Sequence, residues 1–276
     1  MNIQSLAPEH YPQLLDLIRQ SDDADAQLFL VGALSNHTEG LQVFVRQDDN
    51  RLLAAVALLP SLPPFAVPVI LAAGEPDAAL LAKIAEDHAS PQMAIGPKSV
   101  LESLLEHWPA TWLPLIGRRD EVLLKQFVPF STDLSPALAT RLARPEDETT
   151  LVDYRIQMEK DSSVKLVSSR EQATQTVRQL TQRQTLYVIE VDGRLGGCAA
   201  LTSQDEQHEQ LGFIFVEAQH RLRGVSDKLL SDVCASIHHR QRKPLTFTSV
   251  DGPLRNRLSE IGFSVAGEHL KLYFGH

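Results

Sequence analysis

The residues with the clearest capacity for chemistry lie in one short run, Arg221-Leu222-Arg223-Gly224-Val225-Ser226-Asp227. Before it comes an apolar segment, Leu211–Val216, with the length and composition of a mostly buried strand. After it, Val225, Leu229, Leu230, Val233 and Ile237 recur at helical spacing, which predicts a helix with one apolar face. A strand that passes through a short basic turn into a helix makes an anion site. The first helical amides lack internal partners and carry the positive end of the helix dipole. Gly224 admits close backbone approach, and Arg221 and Arg223 add charge where a pyrophosphate would rest. The alternative reading of the same residues is an ordinary strand–helix turn with solvated arginines.

The elements that must hold this turn form a regular series. From Ala139 the order is a strand (Ala139–Arg144), a helix opened by Pro145 and running to about Glu159, and a second helix from Ser169. Strands Thr185–Val191 and Arg194–Leu201 follow, joined by Asp192-Gly193, the strongest hairpin signal in the chain. A polar loop Leu201–Glu209 leads to the Leu211 strand and its helix. A strand Pro244–Val250, a short helix ending at Ile261-Gly262-Phe263 and a last strand, His269–Phe274, close the sheet. The first half has its own series: helices Pro8–Gln20 and Asp22–Leu34, strands Leu41–Arg46 and Leu52–Leu59 around Asp48-Asp49-Asn50, and a strand Val67–Leu71. Helix Asp77–His88, strand Gln92–Ile95, helix Lys98–Trp108 and strand Glu121–Phe127 complete it. Pro129–Pro136, polar with a proline at each end, reads as the linker.

Length and composition fit this division. The 276 residues suffice for two domains of ordinary size, and 43% apolar with 22% charged residues describes a soluble globular protein. The net charge of −9 falls entirely in the first half: residues 1–135 carry 8 Lys/Arg against 17 Asp/Glu, and residues 136–276 carry 18 of each. No broad basic face is evident, which argues against nucleic acid as a partner. Apolar runs fall short of the ~18 residues that span a membrane, and the N-terminus has no export signal. Cys198 and Cys234 have no metal-type spacing and read as buried free thiols, so the cytoplasm is the expected compartment and no metal is expected.

Arg221-x-x-Gly224-x-Ser226 after an apolar strand resembles the R/Q-x-x-G-x-G/A pyrophosphate loop of the GNAT (GCN5-related) N-acetyltransferases, with a small Ser at the last position. Asp251–Phe263 resembles that family's short helix ending in an "LGF" turn, and Ile95–Leu101 followed by His107-Trp108 more loosely resembles the N-terminal part of two-domain bacterial members. The resemblance implies an α/β (α+β) chain of two tandem GNAT-like domains, each a mixed, mostly antiparallel sheet flanked by helices. Residues 1–133 would form a degenerate domain without a coenzyme site, and residues 137–276 a complete one. It implies acetyl-CoA, or another acyl-CoA, as co-substrate, held by Phe215, Val216, Arg221, Leu222, Arg223, Gly224, Val225, Ser226 and Asp227. The backbone amide of Val216 would polarise the thioester carbonyl for direct attack by a primary amine. The acceptor would be a small-molecule or peptide amine, and the protein a monomer or homodimer.

The proton-handling positions depart from the family. Where many members have a Glu on the fourth strand this chain has Gln210, and where they have a Tyr before "LGF" it has Leu258. Glu209 is the substitute candidate for the base; the competing reading is a solvated carboxylate at a strand start. Ser259, His220 and Tyr187 are nearer to bland surface or loop readings. On the acceptor side Tyr154, Arg155, Glu159 and Asp161 lie on or just after the first helix of the second half, where the two acids are either an amine site or helix-end charges. These losses leave two outcomes open: an N-acyltransferase, or a catalytically weak or inactive acyl-CoA-binding or scaffold protein.

Overall fold

In a computed structural model, residues 2–20, 27–35, 38–48, 51–60, 67–130, 138–161, 168–221 and 224–275 are described. Leu222 and Arg223, the turn residues Asp49 and Asn50, residues 131–136 of the expected linker, residues 22–26 of the expected second helix and most of the polar loop before Ser169 lie outside them. Among the described residues no helix is long and apolar enough to cross a membrane.

The chain divides into two compact units, one of Met1–Leu123 with Ala266–His276 and one of Leu124–Val265. The first contains β1 (Asn2–Ser5), α1 (Tyr11–Arg19), α2 (Leu28–Ser35), β2 (Gln42–Asp48), β3 (Arg51–Leu59), β4 (Val69–Gly74), α3 (Ala78–Asp87), β5 (Met93–Pro97) and α4 (Lys98–Glu106). β6 (Leu115–Gln126) begins in this unit and ends in the other. Strands β1 to β4 pair antiparallel in chain order and β4 pairs parallel with β5. Leu80, Leu81 and Ile84 of α3 and Val100, Leu101 and Leu104 of α4 pack on Ala54, Val56, Ile70 and Ala72 of the sheet. The helix α2 is buried from Leu28 to Leu34, which is why its sequence shows no polar face.

The second unit contains β7 (Ala139–Leu142), α5 (Glu148–Lys160), α6 (Arg170–Gln182), β8 (Leu186–Val191), β9 (Arg194–Gln204), β10 (His208–Val216), α7 (Val225–His239), β11 (Lys243–Ser249) and α8 (Pro253–Glu260). The sheet order is β11-β10-β9-β8-β7, with only the β10–β11 pair parallel. Asp192 and Gly193 both have positive φ (52° and 74°), the signature of the two-residue turn that joins β8 to β9. A capping box of Ser169 and Gln172 starts α6. The β9–β10 hairpin is tighter than the polar composition of residues 201–209 suggested: both strands extend into it, leaving Asp205-Glu206-Gln207 as the turn. The Asp205 carboxylate accepts from the Gln207 and His208 amides and so supplies the turn's bonds.

The final strand β12 (Phe263–Phe274) corrects the expected division at residues 133–137. Its first residues belong to the second unit, but His269–Tyr273 pair with Met93–Pro97 of β5, so the last eleven residues belong to the first. There His269 and Lys271 meet Glu121 of β6. Glu121 is 2% exposed; Lys271 Nζ lies 2.8 Å from its Oε2, and Arg119 Nε and His269 Nδ1 lie at 3.1 and 3.4 Å. Burial alone would raise the Glu121 carboxyl, but Lys271, His269 and Arg119 outweigh it and hold the group well below the carboxylate range.

Candidate functional site

The site is built by an interruption in the sheet of the second unit. β10 and β11 pair over four positions, His208↔Lys243 to Leu211↔Thr246. Both strands continue past the last pair, β10 to Val216 and β11 to Ser249, with no ladder pair between them there; this unpaired interval is the slot. The interruption originates in β10, whose register against β9 shifts between Gln210 and Leu211 and again between Gly212 and Phe215. Phe213 in the second shift has φ of 44°, a left-handed conformation that costs a non-glycine residue about 1–2 kcal/mol. The helix α5 holds this bulge in place. The Arg155 guanidinium lies over the Phe213 ring at 5.5 Å, and the Tyr154 ring packs on Phe215 at 4.7 Å. The Tyr154 hydroxyl lies 2.7 Å from the Leu195 carbonyl and 2.9 Å from the Glu217 carboxylate.

Beyond the bulge β10 regains its pairing with β9, and that fixes where Val216 points. The Glu217 amide donates to the Gly196 carbonyl at 3.0 Å. Across the trans peptide, the Val216 carbonyl therefore faces away from β9, towards the slot. In an antiparallel ladder the amide and carbonyl of one residue share a side, so the Val216 amide faces the slot as well. The Val216 carbonyl accepts from Arg221 Nε at 2.9 Å.

In chain order α7 follows β10, the edge of this interval. Gly224 precedes it with φ of 72° and ψ of 3°, a left-handed conformation suited to glycine, and no side chain caps the helix. Val225 anchors the first turn in the core at 1% exposure, and Ser226 and Asp227 are half-buried. Asp227 lies 3.6 Å from Arg257 of α8. A fifteen-residue helix opened by glycine presents its first amides and dipole to whatever lies at its N-terminus.

No protein-family profile and no curated protein matches this sequence. Solved structures do match it along its whole length. A GNAT-family acetyltransferase from Colwellia psychrerythraea superposes with a TM-score of 0.61 at 13% identity, covering all of both chains. A GCN5-related N-acetyltransferase from Sphaerobacter thermophilus gives 0.64 at 13% over 98% of this chain and 94% of its own. A tandem GNAT protein from the clavulanic acid biosynthesis pathway gives 0.61 at 14%, covering 100% of this chain and 99% of that one. The fold is the tandem GNAT fold.

Within the second GNAT unit, the residues expected to move protons are otherwise engaged. Glu209, the candidate base, is 2% exposed and bound by two guanidinium groups: Arg240 Nε and Nη2 at 2.9 and 2.5 Å from its two oxygens, and Arg242 Nη1 at 2.8 Å. Burial would raise its carboxyl, but Arg240 and Arg242 outweigh that and hold it low. It is also the second residue of β10, seven residues before Val216, roughly 23 Å along an extended strand. Glu209 is thus a structural anion that ties the end of α7 to the sheet. Gln210 and Leu258 are buried, Ser259 donates to the Arg255 carbonyl at 3.1 Å, and Tyr187 pairs with Ser236 at 3.2 Å. His220 lies 3.6 Å from Glu217.

The acids expected to receive an amine are likewise committed. Glu159 lies 2.6 Å from Arg155 and accepts from the Ser168 amide and hydroxyl at 2.6 and 2.9 Å. Asp161 lies 3.5 Å from Arg221 and accepts from Gln157 at 2.8 Å. Sequence reasoning missed the structural use of Tyr154 and Arg155 beneath the bulge. Only their place on the face of α5 that packs on β10 signals it.

Proposed function

We propose that the second unit binds an acyl-coenzyme A and transfers its acyl group to an amine. The observation that carries this reading is the four-residue β10–β11 ladder, which leaves a slot on the strand that precedes the glycine-headed α7. In it the diphosphate of acetyl-CoA rests on the first amides of α7 at Gly224, Val225 and Ser226, and the pantetheine arm follows the open edge of β10 past Phe215 and Val216. The similarly folded proteins from Colwellia and Sphaerobacter are acetyltransferases, which agrees with this placement.

The bound thioester supplies an activated acyl carbon and a thiolate leaving group. The chain supplies position and polarity. Val216 directs its amide at the slot, where a donor stabilises charge developing on a carbonyl oxygen. The bulge and the α5 residues beneath it keep that amide fixed, so its orientation is set before the amine attacks. As the C–N bond forms and the C–S bond breaks, the nitrogen sheds one proton and the sulfur gains one, by way of solvent.

Glu209 bound by two arginines, with Gln210 and Leu258 at the positions noted above, favours a second reading, an acyl-CoA-binding protein without turnover. One experiment separates them. Acetyl-CoA at 100 times its dissociation constant stabilises the protein by about 2.7 kcal/mol if the slot binds it. Thiol release with a panel of amines, abolished in Gly224→Trp, supports the transferase. Binding with no thiol release on any acceptor supports the binder. Absence of any thermal shift overturns both.

A further inference from the structure

We infer that Arg221 is a positioning residue for the end of β10 and not a cation for the diphosphate; the inference rests on the acyl-coenzyme A reading above. Its guanidinium turns back along its own chain. Nε takes the Val216 carbonyl at 2.9 Å, the guanidinium carbon lies 5.9 Å from the centre of the Phe215 ring, and Nη2 reaches Asp161 at 3.5 Å. The Phe215 ring is itself seated on Tyr154. One side chain therefore joins the last two residues of β10 to the end of α5.

The consequence follows from the directions of the backbone groups. The Val216 carbonyl points to the open side of β10, where a strand amide would bond it if β11 continued its ladder. Arg221 fills that acceptor from within the connecting turn. At this position the slot edge then offers a donor, the Val216 amide, with its carbonyl already satisfied. A parallel strand needs donor and acceptor in alternation, whereas a carbonyl of a ligand arm needs only the donor. Arg221 in this way blocks closure of the slot at Val216 and keeps the amide in place for a carbonyl of the arm.

The test compares two ligands on full-length protein, acetyl-CoA and 3′-phosphoadenosine 5′-diphosphate, which has the diphosphate but no arm. In Arg221→Lys, which keeps the charge and loses Nε, acetyl-CoA affinity falls about tenfold, the effect of one charge-assisted hydrogen bond, and the nucleotide binds within about twofold of wild type. Arg221→Gln gives the same pattern. Equal losses for both ligands in Arg221→Gln with none in Arg221→Lys would make Arg221 a diphosphate cation and overturn the inference; so would unchanged affinities in both variants. Hydrogen exchange on ligand-free protein tests the positioning itself. The Glu217 amide, on the same peptide as the Val216 carbonyl, exchanges about tenfold faster in Arg221→Lys, and the amides of β8 keep their protection. An unchanged Glu217 amide refutes the inference. Wild-type protein that binds neither ligand refutes the acyl-coenzyme A reading and leaves the exchange result to decide the role of Arg221.

Discussion

The N-termini of α3 and α7 hold equivalent places in the two units, yet they are finished in opposite ways. Each helix leaves the fourth strand of its unit's run and returns to a strand parallel to it, β4 to β5 and β10 to β11. In the first unit Asp77 caps α3, its carboxylate accepting the Leu80 amide at 2.9 Å, and Arg46 pairs with the same carboxylate. In the second unit Gly224 stands at that place with no capping side chain. The strands agree with the helices. Val69–Ala73 of β4 and all of β5 are buried, whereas Gly212 and Ile214 of β10 and Phe247 and Ser249 of β11 are partly open. A strand–helix crossover supplies a crown of amides in both units. The residue at the cap decides whether the chain keeps those amides for itself or presents them to a ligand.

The largest test of the contrast uses one buried acid from each unit, Glu121 and Glu209. Glu121→Ala leaves Lys271 and the buried His269 without their carboxylate and costs about 3–5 kcal/mol, read as a fall in the urea midpoint. Glu209→Ala leaves two arginines that already reach solvent, so it costs less, about 1–2 kcal/mol, with acetyl-CoA affinity within about twofold of wild type. Lost acetyl-CoA binding there would return Glu209 to the site.

The caps come next. Gly224→Ala places a Cβ at φ of 72°, which costs about 1–2 kcal/mol of stability and weakens acetyl-CoA binding. Asp77→Ala removes a side-chain cap, costs about 1 kcal/mol, and leaves acetyl-CoA binding unchanged. Calorimetry gives one acetyl-CoA per chain; a stoichiometry of two would break the comparison between the units.

The smallest effect is a pH dependence. With its folded pKa depressed, Glu121 adds stability that is present above its unfolded value, near pH 4.3, and is lost as the pH falls towards the folded one. His269, buried and lowered by desolvation, adds stability present above about pH 6.5 and lost on acidification, because the unfolded ring takes up a proton first. Stability measured from pH 7 to pH 3 therefore declines. In Glu121→Gln it declines less over the lower half of that range.

Local signals were legible in the sequence and longer-range ones were not. Asp192-Gly193, the spacing of Val225 to Ile237 and the Ser169 box each encode their own geometry within a few residues, and each formed as expected. Gly224 was legible because its left-handed conformation favours glycine. The bulge at Phe213 was marked only by the preceding Gly212, since the contact that holds Phe213 comes from Arg155 on another element. The strand Asn2–Ser5 was missed, being four residues long and defined by its pairing with β2. Glu209 read as a candidate base or a solvated strand-start charge, and neither reading saw its partners, because Arg240 and Arg242 lie some thirty residues further on.

The pairing of His269–Tyr273 with β5 also sets a timetable for biogenesis. β5 emerges from the ribosome well before the strand that completes its ladder, which lies about 170 residues further along the chain. At about 5–20 residues per second, the nascent N-terminal lobe waits on the order of ten seconds with an unfinished edge. Such an edge attracts other strands, so chaperone dependence should concentrate in the unit that holds β5.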